Sequence, residues 1–302
     1  MSRHPHSGAY VALAAVCFFW GTTYLGIRMG LESFPPLILA CARFTVSGSL
    51  LLAAVAWRGG KLPRGKDLRA ACFSGVLVLG VGNGSLIFAE QWVPSGLACL
   101  IITFSPFWMV GVEALLGGEP LHPPVILGML VGLSGAALLF APDLHAHSLH
   151  AGVLTGFLVL QLGMAGWAFG SIYQRRQASG AHSIVVGAVQ QLAAGLAFLP
   201  FALTIHEQPV HWSTRGVLAI LYLVVFGSIV GYSAYIFALD RLPVAVVSIY
   251  PYVNSVVAVT LGWLFYREPF GLREAAAMVV IFSGVAIVKR YSRPVRAKNA
   301  DR

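Results

Sequence analysis

The 302-residue chain has very few charged side chains: Asp, Glu, Lys and Arg together make up 10% of it, while 58% of its residues are hydrophobic. Soluble globular domains carry about 25% charged residues. Because so few charges cannot cover a water-facing surface, the composition excludes a sizeable soluble domain. It indicates a protein that lies in a lipid bilayer.

Residue patterns that build catalytic and metal sites are also missing. All four cysteines fall inside apolar runs and none forms a C-x-x-C pair, so neither a disulfide framework nor a zinc site is predicted. No H-E-x-x-H motif is present, and the stretch from Gly80 to Gly84 lacks the strand and the lysine of a nucleotide-binding loop. We therefore expect no metal, no cofactor and no ATP hydrolysis.

Long apolar runs are what the chain has instead. A membrane-spanning helix needs about 20 apolar residues. Strands of a membrane barrel would alternate apolar and polar residues, whereas segments such as Val11–Phe19 are apolar on every side. The sequence predicts an all-α polytopic membrane protein. Its ten transmembrane helices are expected at residues 9–28, 36–57, 69–89, 95–116, 123–141, 152–173, 183–205, 215–238, 244–265 and 272–289.

The second half of the chain repeats the first. Near the start of each half the offset is 147 residues, which relates Trp20 to Trp167, and further along it is 149. The predicted units are residues 9–141 and residues 152–289, with five helices each. Since five is odd, the second unit would enter the membrane from the opposite side. A pseudo-two-fold axis in the membrane plane would then relate two inverted repeats.

Basic residues are distributed unevenly over the predicted loops. With ten spans both termini lie on one face, and that face collects fifteen of the Lys and Arg residues against four on the other. Loops rich in Lys and Arg stay in the cytoplasm. Both termini are therefore predicted to be cytoplasmic, in a bacterial inner membrane. A nucleic-acid partner is not expected despite the net charge of +9, because no folded domain presents a basic face.

Several short motifs carry a family resemblance. They are Phe19-Trp20-Gly21-Thr22-Thr23-Tyr24-Leu25-Gly26-Ile27-Arg28, Pro35-Pro36, Arg43-Phe44, Val81-Gly82-Asn83-Gly84, Ala89-Glu90, Val93-Pro94-Ser95-Gly96, Trp167-Ala168-Phe169-Gly170-Ser171, Phe226-Gly227-Ser228 and Tyr252-Val253-Asn254. Through these motifs the chain resembles bacterial permeases of the EamA group in the drug/metabolite transporter superfamily, and within it the YedA-like branch. The resemblance implies export of small amphipathic metabolites, such as amino acids or drug-like compounds.

One position departs from the pattern of that branch. The motif that begins at Tyr252 usually continues with a proline, but Ser255 stands there and the proline is four residues earlier, at Pro251. A proline removes one backbone hydrogen bond and kinks a helix. We expect the kink in the ninth span to lie one turn nearer its start than the kink at Pro106, the repeat partner of Ser255.

Charged residues within the spans are costly to bury and are therefore candidates for function. Arg43 lies in the second span, where a charge costs about 2.5–3.5 kcal/mol on insertion scales. It either binds a solute carboxylate or is tied to neighbouring helices. Glu113 either couples transport to protons or is a wetted residue near the cytoplasmic end of the fourth span. Glu90, at the external end of the third span, is predicted to be an interfacial or gate residue rather than a coupling site. Pro106 and Pro251 are predicted to act in gating or coupling.

Aromatic and amide side chains supply the remaining candidates. Aromatic rings offer large apolar contact areas, and a buried amide needs a partner on another helix, in water or in the solute; packing within the protein is the alternative for each. The predicted solute-binding residues are Trp20, Tyr24, Arg43, Asn83, Trp108, Trp167, Gln190, Tyr232, Tyr250 and Asn254. Gln190 is the repeat partner of Arg43.

Together these features predict a secondary membrane transporter that exports a small amphipathic solute by alternating access. A polytopic membrane enzyme and a structural membrane subunit are the alternatives. The expected partners are the solute and the lipid bilayer, with a proton considered as the coupling ion. The identity of the solute, the energy source and the oligomeric state stay open.

Overall fold

The computed structural model describes residues 7–93, 95–139, 151–177, 182–205, 207–266 and 271–292. These residues form helices and no strand. The helices are α1 (Ser7–Leu31), α2 (Pro36–Trp57), α3 (Lys66–Gly75), α4 (Gly84–Ala89), α5 (Ser95–Ile102), α6 (Ser105–Leu115), α7 (Pro123–Leu139), α8 (Ala151–Arg176), α9 (Ser183–Thr204), α10 (Thr214–Tyr222), α11 (Ser233–Leu239), α12 (Val244–Val247), α13 (Tyr250–Tyr266) and α14 (Leu272–Tyr291). Two π-helical segments, Val76–Asn83 and Leu223–Tyr232, join α3 to α4 and α10 to α11.

Eight helical segments among the described residues are long and apolar enough to cross a membrane. They correspond to predicted spans one to four and six to nine. The fifth predicted span corresponds to α7, which is shorter, and the tenth to α14, which has charged residues near both ends. The protein is thus a helical polytopic membrane protein, and the count of ten spans stays a prediction.

The fourth and ninth predicted spans are each broken into two helices. Turns at Thr103–Phe104 and Ser248–Ile249 interrupt them, so the expected kink within a continuous helix is replaced by a break. Pro106 and Pro251 are each the second residue of the helix that follows, where a missing backbone N–H costs nothing. Under the offset of 149 the second break lies four residues earlier than the first, as does its proline.

The third and eighth predicted spans each contain a π-helical segment, which the sequence analysis did not predict. Under the offset of 149, Val76–Asn83 maps onto residues 225–232, inside Leu223–Tyr232. A π-helix has i→i+5 hydrogen bonds, is rare, and is frequently found at functional sites. Both halves therefore depart from α-helical geometry at the same place.

Helices α2 and α9 are repeat equivalents and pack closely against each other. A Cβ added at Gly48 would collide with the backbone of Leu192, and one added at Gly195 would collide with the backbone of Thr45. Small residues permit such close approach of membrane helices. Because Gly48 contacts Leu192 while the earlier residue Thr45 contacts the later residue Gly195, the two helices run antiparallel. Gly48 and Gly195, like Thr45 and Leu192, are repeat partners, so the same contact is made twice.

Helices α7 and α14, which are also repeat equivalents, form a second pair of this kind. Gly135 lies against the backbone of Ile281, and Gly284 lies against the backbone of Gly132. These positions are again repeat partners, and the register again runs antiparallel. We call the two pairs, α2 with α9 and α7 with α14, the glycine seams.

Between the seams, the first helix of each half packs against the third span of the other half. Helix α8 lies on the first π-helical segment, where Gly170 meets Val78. Helix α1 lies on the second, where Gly26 meets Leu223. This exchange places the π-helical segments and the first helices around one central region.

Candidate functional site

A cavity of about 60 Å³ lies in this central region, among α1, α2, the first π-helical segment, α8 and α13. A buried water needs about 15 Å³, so the space holds a few water molecules. Seven of the ten predicted solute-binding residues line it: Trp20, Tyr24, Arg43, Asn83, Trp167, Tyr250 and Asn254.

Arg43 places its guanidinium at the wall of the cavity. The side chain is 2% exposed. Its Nε donates to Ser228 Oγ at 2.9 Å and its Nη1 donates to Asn83 Oδ1 at 3.3 Å. Asn83 belongs to the first half and Ser228 to the second, so Arg43 bridges the third span of both halves.

No acidic side chain of the described residues lies within ion-pair distance of Arg43, although three such pairs occur elsewhere among them. A buried charge is normally paired, because desolvation costs several kcal/mol per ion. Hydrogen bonds to neutral side chains and the ring of Phe44, 5.0 Å from the guanidinium carbon, compensate this charge only in part. The cavity wall therefore presents a cation whose partners within the described part of the chain are all neutral.

Aromatic rings form another part of the wall. Trp20 and Trp167 meet edge to face with ring centroids 5.4 Å apart, and Tyr250 lies 5.0 Å from Trp20. The Trp20 indole donates to Gly227 O and the Trp167 indole donates to Tyr235 Oη, both at 2.9 Å. Since the protein satisfies both indole N–H groups, the rings offer the cavity apolar surface in a fixed orientation.

Two further predicted residues at the cavity have different surroundings. Asn254 is 1% exposed, and its amide nitrogen donates to Cys17 O at 2.8 Å and to Tyr250 O at 3.0 Å. These bonds tie α13 to α1 and leave little of the amide for a solute. Tyr24 lies one turn after Trp20 on α1 and is also buried. It extends the aromatic wall toward the end of α1.

Three predicted solute-binding residues lie outside the cavity. Gln190 accepts from Tyr232 Oη at 2.9 Å and donates to Ser74 Oγ at 2.7 Å, so both ends of its amide bond to other helices. Tyr232 is held in that contact and packs against neighbouring rings. Trp108 is 36% exposed and donates to Gln161 Oε1 at 2.9 Å. For Gln190 and Tyr232 the structure places the side chains in interhelical hydrogen bonding.

Two predicted gating or coupling residues, Glu113 and Glu90, lie near the ends of their helices, and a third, Pro106, lies near the cavity. Glu113 Oε1 is 3.5 Å from Arg175 Nη1, and Arg175 Nη2 donates to Leu242 O at 3.2 Å. This contact joins the fourth span of the first half to the first helix of the second. Glu90 ends the helical run of α4, and both of its carboxylate oxygens are buried. Pro106 follows the break between α5 and α6, near the cavity residue Ser105.

Two residues that hold the cavity wall in place, Ser228 and Tyr235, are not among the predicted site residues. Ser228 bonds Arg43, and Tyr235 bonds both Trp167 and Ser171. A lone serine or tyrosine in an apolar run gives no periodic signal. Their positions in the sequence could have indicated them. Ser228 belongs to one of the motifs that carry the family resemblance, and Tyr235 lies one turn from Tyr232.

The fold and the site together define a helical polytopic membrane protein in which two repeated halves enclose a small cavity lined by aromatic rings and one buried cation. The EamA-like transporter family matches the chain twice, over residues 7–141 and 154–290, and the chain belongs to that family. The protein is therefore a membrane transporter rather than an enzyme.

Relatives extend over nearly the whole chain. The Uncharacterized inner membrane transporter YedA of Escherichia coli K12 is 36% identical over 279 residues, which cover 92% of this chain and 89% of that protein. The Uncharacterized transporter YvbV of Bacillus subtilis is 27% identical and covers 98% of this chain and 96% of its own length. A Probable terminal-alkyne amino-acid exporter of Streptantibioticus cattleyicolor is 27% identical, with 94% of both chains covered.

A solved crystal structure, described only as that of a protein, has the same fold. It superposes with a TM-score of 0.79 at 22% identity and covers 95% of this chain and 99% of that one.

Proposed function

We propose that the protein is a secondary transporter that exports small amphipathic carboxylates, such as amino acids or compounds of similar shape, by alternating access. The solute binds in the central cavity. Its carboxylate pairs with Arg43 and its apolar part lies against Trp20, Trp167 and Tyr250.

The observation that carries this proposal is the buried guanidinium without an acidic partner among the described residues. Its Nε and Nη1 are held by Ser228 and Asn83, which fixes the plane of the fork at the cavity wall. Arginine forks match carboxylates through paired hydrogen bonds. An anionic solute would supply the negative charge that the described residues do not place beside Arg43.

The aromatic wall supports an amphipathic solute rather than an inorganic anion. Trp20, Trp167 and Tyr250 contribute ring surface whose polar atoms are largely used elsewhere. A solute with an apolar body binds more tightly through that contact, since burying a large apolar side chain contributes about 1.5–3 kcal/mol. The relative named as an amino-acid exporter has a substrate with a carboxylate, in line with this class.

We propose further that the two family repeats, residues 9–141 and 152–289, are inverted in the membrane, with ten spans and both termini in the cytoplasm. The glycine seams support this arrangement. Each seam pairs repeat-equivalent helices that run antiparallel, and only an axis perpendicular to the helices reverses their direction. An axis along the membrane normal would leave the equivalent helices parallel.

Transport requires the halves to move apart on one side at a time. The cavity has a volume of about 60 Å³, and the two halves would widen it as they move apart. Arg175 and Glu113 close the predicted cytoplasmic end across the two halves. The breaks before Pro106 and Pro251 lie next to the cavity, where short helices turn more easily than continuous ones.

A matched pair of ligands tests the solute class. The purified full chain is heated with an amino acid or with its amide, in a series of increasing side-chain size, and a true ligand raises the unfolding temperature by mass action. We expect stabilisation by acids and none by the amides.

Any acid that stabilises is then loaded into proteoliposomes to measure flux. Arg43→Ala and Trp20→Ala should lose most of the flux, and Arg58→Ala, at an exposed loop position, should keep it. Equal stabilisation by acid and amide would contradict the assignment to Arg43.

Cysteine labelling tests the topology. Single cysteines at Ser2 and Ser292 should react with a membrane-impermeant reagent only from the cytoplasmic side. A cysteine at Trp212, which is 78% exposed, should react only from outside. Reaction of the first two from opposite sides would contradict an even number of spans.

A further inference from the structure

Glu90 is a buried acid with no hydrogen-bond partner among the described residues. Neither carboxylate oxygen is exposed, and neither has a hydrogen-bond partner in the structure. An ionised carboxylate in that situation loses its hydration without compensation. The neutral acid loses far less, so the surroundings favour a bound proton.

The position of Glu90 on its helix adds to this preference. It lies one residue beyond the apolar helical run Lys66–Ala89, and its backbone N–H closes the last turn on Leu86 O at 3.1 Å. The carboxyl-terminal end of a helix carries partial negative charge, which disfavours a second negative charge. Burial raises the pKa of Glu90 to about 8 even though the positive charge of Arg28 opposes that rise.

The ionisable groups that face Glu90 come from two packed helices. On α1 these are Arg28 and Tyr24, and on α5 the group is Cys99. Helix α2 contributes Arg43 further inside, and α8 has no ionisable side chain between Ala151 and Leu160. Arg28 is therefore the one positive charge at the mouth of this site among the described residues. It is exposed there and forms no ion pair within the described part of the chain.

Glu90 is also connected to the cavity. Asn83, Leu86 and Glu90 are spaced at i, i+3 and i+7, so they share one face of the helix. Asn83 and Leu86 both line the cavity, and Asn83 accepts a hydrogen bond from Arg43. Seven residues of helix correspond to about 10 Å, which is the distance along the helix from the partner of Arg43 to Glu90.

We propose that Glu90 is a proton-binding site on the solute pathway, where its buried carboxyl is a neutral acid in this conformation and, once deprotonated, pairs with Arg28. The step is a simple acid dissociation. The O–H bond breaks, the proton passes to water at the predicted external end, and the carboxylate left behind attracts the exposed guanidinium. Glu90, rather than Glu113, is then the acid that couples solute movement to protons, because Glu113 already has Arg175 as its partner.

The coupling role rests on the proposed transport function, but proton binding does not, and it is measured without any solute. Infrared spectra of the full chain in lipid bilayers are recorded as a function of pH. We expect a protonated-carboxyl band that disappears with a midpoint near pH 8, far above the ordinary glutamate pKa of 4.5. Glu90→Gln should abolish the band, and the matched variant Glu113→Gln should retain it.

Arg28→Gln separates proton binding from a merely structural role. Since the positive charge of Arg28 lowers the pKa of Glu90, its removal should move the midpoint of the band to higher pH. A band that persists in Glu90→Gln, or that titrates near the ordinary value in the wild type, would overturn the proposal.

A second measurement needs no variant and so does not depend on whether Glu90→Gln folds. Hydrophobic carbodiimides modify protonated carboxyls in apolar surroundings. Mass spectrometry of the wild-type protein should locate the adduct on Glu90, with a yield that falls as the pH passes through about 8. An adduct on Glu113 without one on Glu90 would assign the proton to the other acid. If every solute test failed, the infrared titration and the carbodiimide adduct would still report proton binding at Glu90.

Discussion

Trp20 and Trp167 are repeat partners that touch each other, edge to face, with ring centroids 5.4 Å apart. A residue that contacts its own equivalent lies beside the axis that relates the two copies. Because both rings also line the cavity, the cavity lies where the two halves meet. A solute bound there contacts both halves, so movement of either half changes its surroundings.

Substitution of these two tryptophans should show energetic coupling. Trp20→Leu and Trp167→Leu each lose an indole hydrogen bond and ring packing, and aromatic pairs contribute about 0.5–1.5 kcal/mol beyond the area they bury. Unfolding of the two single variants and the double variant in detergent should give a coupling energy in that range. Trp57→Leu, at a position that is 86% exposed, serves as the control. Strictly additive effects would contradict direct contact.

Arg43→Met should separate stability from solute binding. Removing a buried charge also removes the cost of its desolvation, and Arg43 has no acidic partner among the described residues that would be left unpaired. We expect the unfolding temperature without solute to stay the same or rise, while stabilisation by a carboxylate solute disappears. Arg43→Lys should retain part of the stabilisation by the carboxylate solute. A strong loss of stability in Arg43→Met would instead assign Arg43 a structural role.

The ion pair between Glu113 and Arg175 should hold the predicted cytoplasmic end closed. Glu113→Arg or Arg175→Glu places like charges side by side, whereas the double exchange restores opposite charges. Labelling of a cysteine at Ser171, one turn from Arg175 along α8, should become faster in both single variants and slow again in the double variant. If the double exchange reacts as fast as the singles, the pair does not act as a latch.

The first glycine seam should tolerate no added methyl group. Gly48→Ala and Gly195→Ala each push a Cβ into the backbone of the facing helix, and overpacking of this kind costs about 1–3 kcal/mol. The double variant should cost less than the sum, because helices already separated by one methyl group accept a second. Gly111→Ala, where a Cβ meets nothing within 4 Å, should leave the unfolding temperature unchanged or raise it.

Glu90 should make the stability of the protein depend on pH. Its folded-state pKa, about 8, lies above the value of 4.5 for the free side chain, so the folded protein holds a proton that the unfolded chain has released. Stability should therefore fall as the pH rises from about 4.5 to about 8 and level off above that value. Unfolding temperatures of the wild type should show this slope, and those of Glu90→Gln should lack it. An equal slope in both would place the effect on another group.

The sequence predicted several residues that the structure brings together at one cavity, and their role in solute binding stays a prediction. Arg43 was identified because a charge at membrane depth is costly, and Trp20 because it reappears at the same place in the second half. Both signals depend on position along the chain and not on packing. They were sufficient to place seven of the predicted residues around one cavity.

Other features depend on contacts that a single sequence does not encode. Gln190 is equivalent to Arg43, but its amide is fully used by Ser74 and Tyr232. Trp108 turns outward, and a span that is apolar on all sides carries no periodic signal to indicate that. The π-helical segments contain residues that fit an α-helix equally well, so only tertiary packing selects the wider geometry.

The glycine seams have a consequence for a half of the chain on its own. Gly48 packs on Leu192, and Gly195 packs on Thr45, so the same contact between repeat-equivalent positions is made twice. Each half therefore carries a surface that is complementary to the equivalent surface of a second copy. Two unlinked copies of the first half would rebuild this surface only by inserting with opposite orientations in the same bilayer. In the proposed inverted topology, the connectivity of the fused chain fixes that opposition and leaves each half free to diverge, with a cation at position 43 and an amide at its counterpart, Gln190.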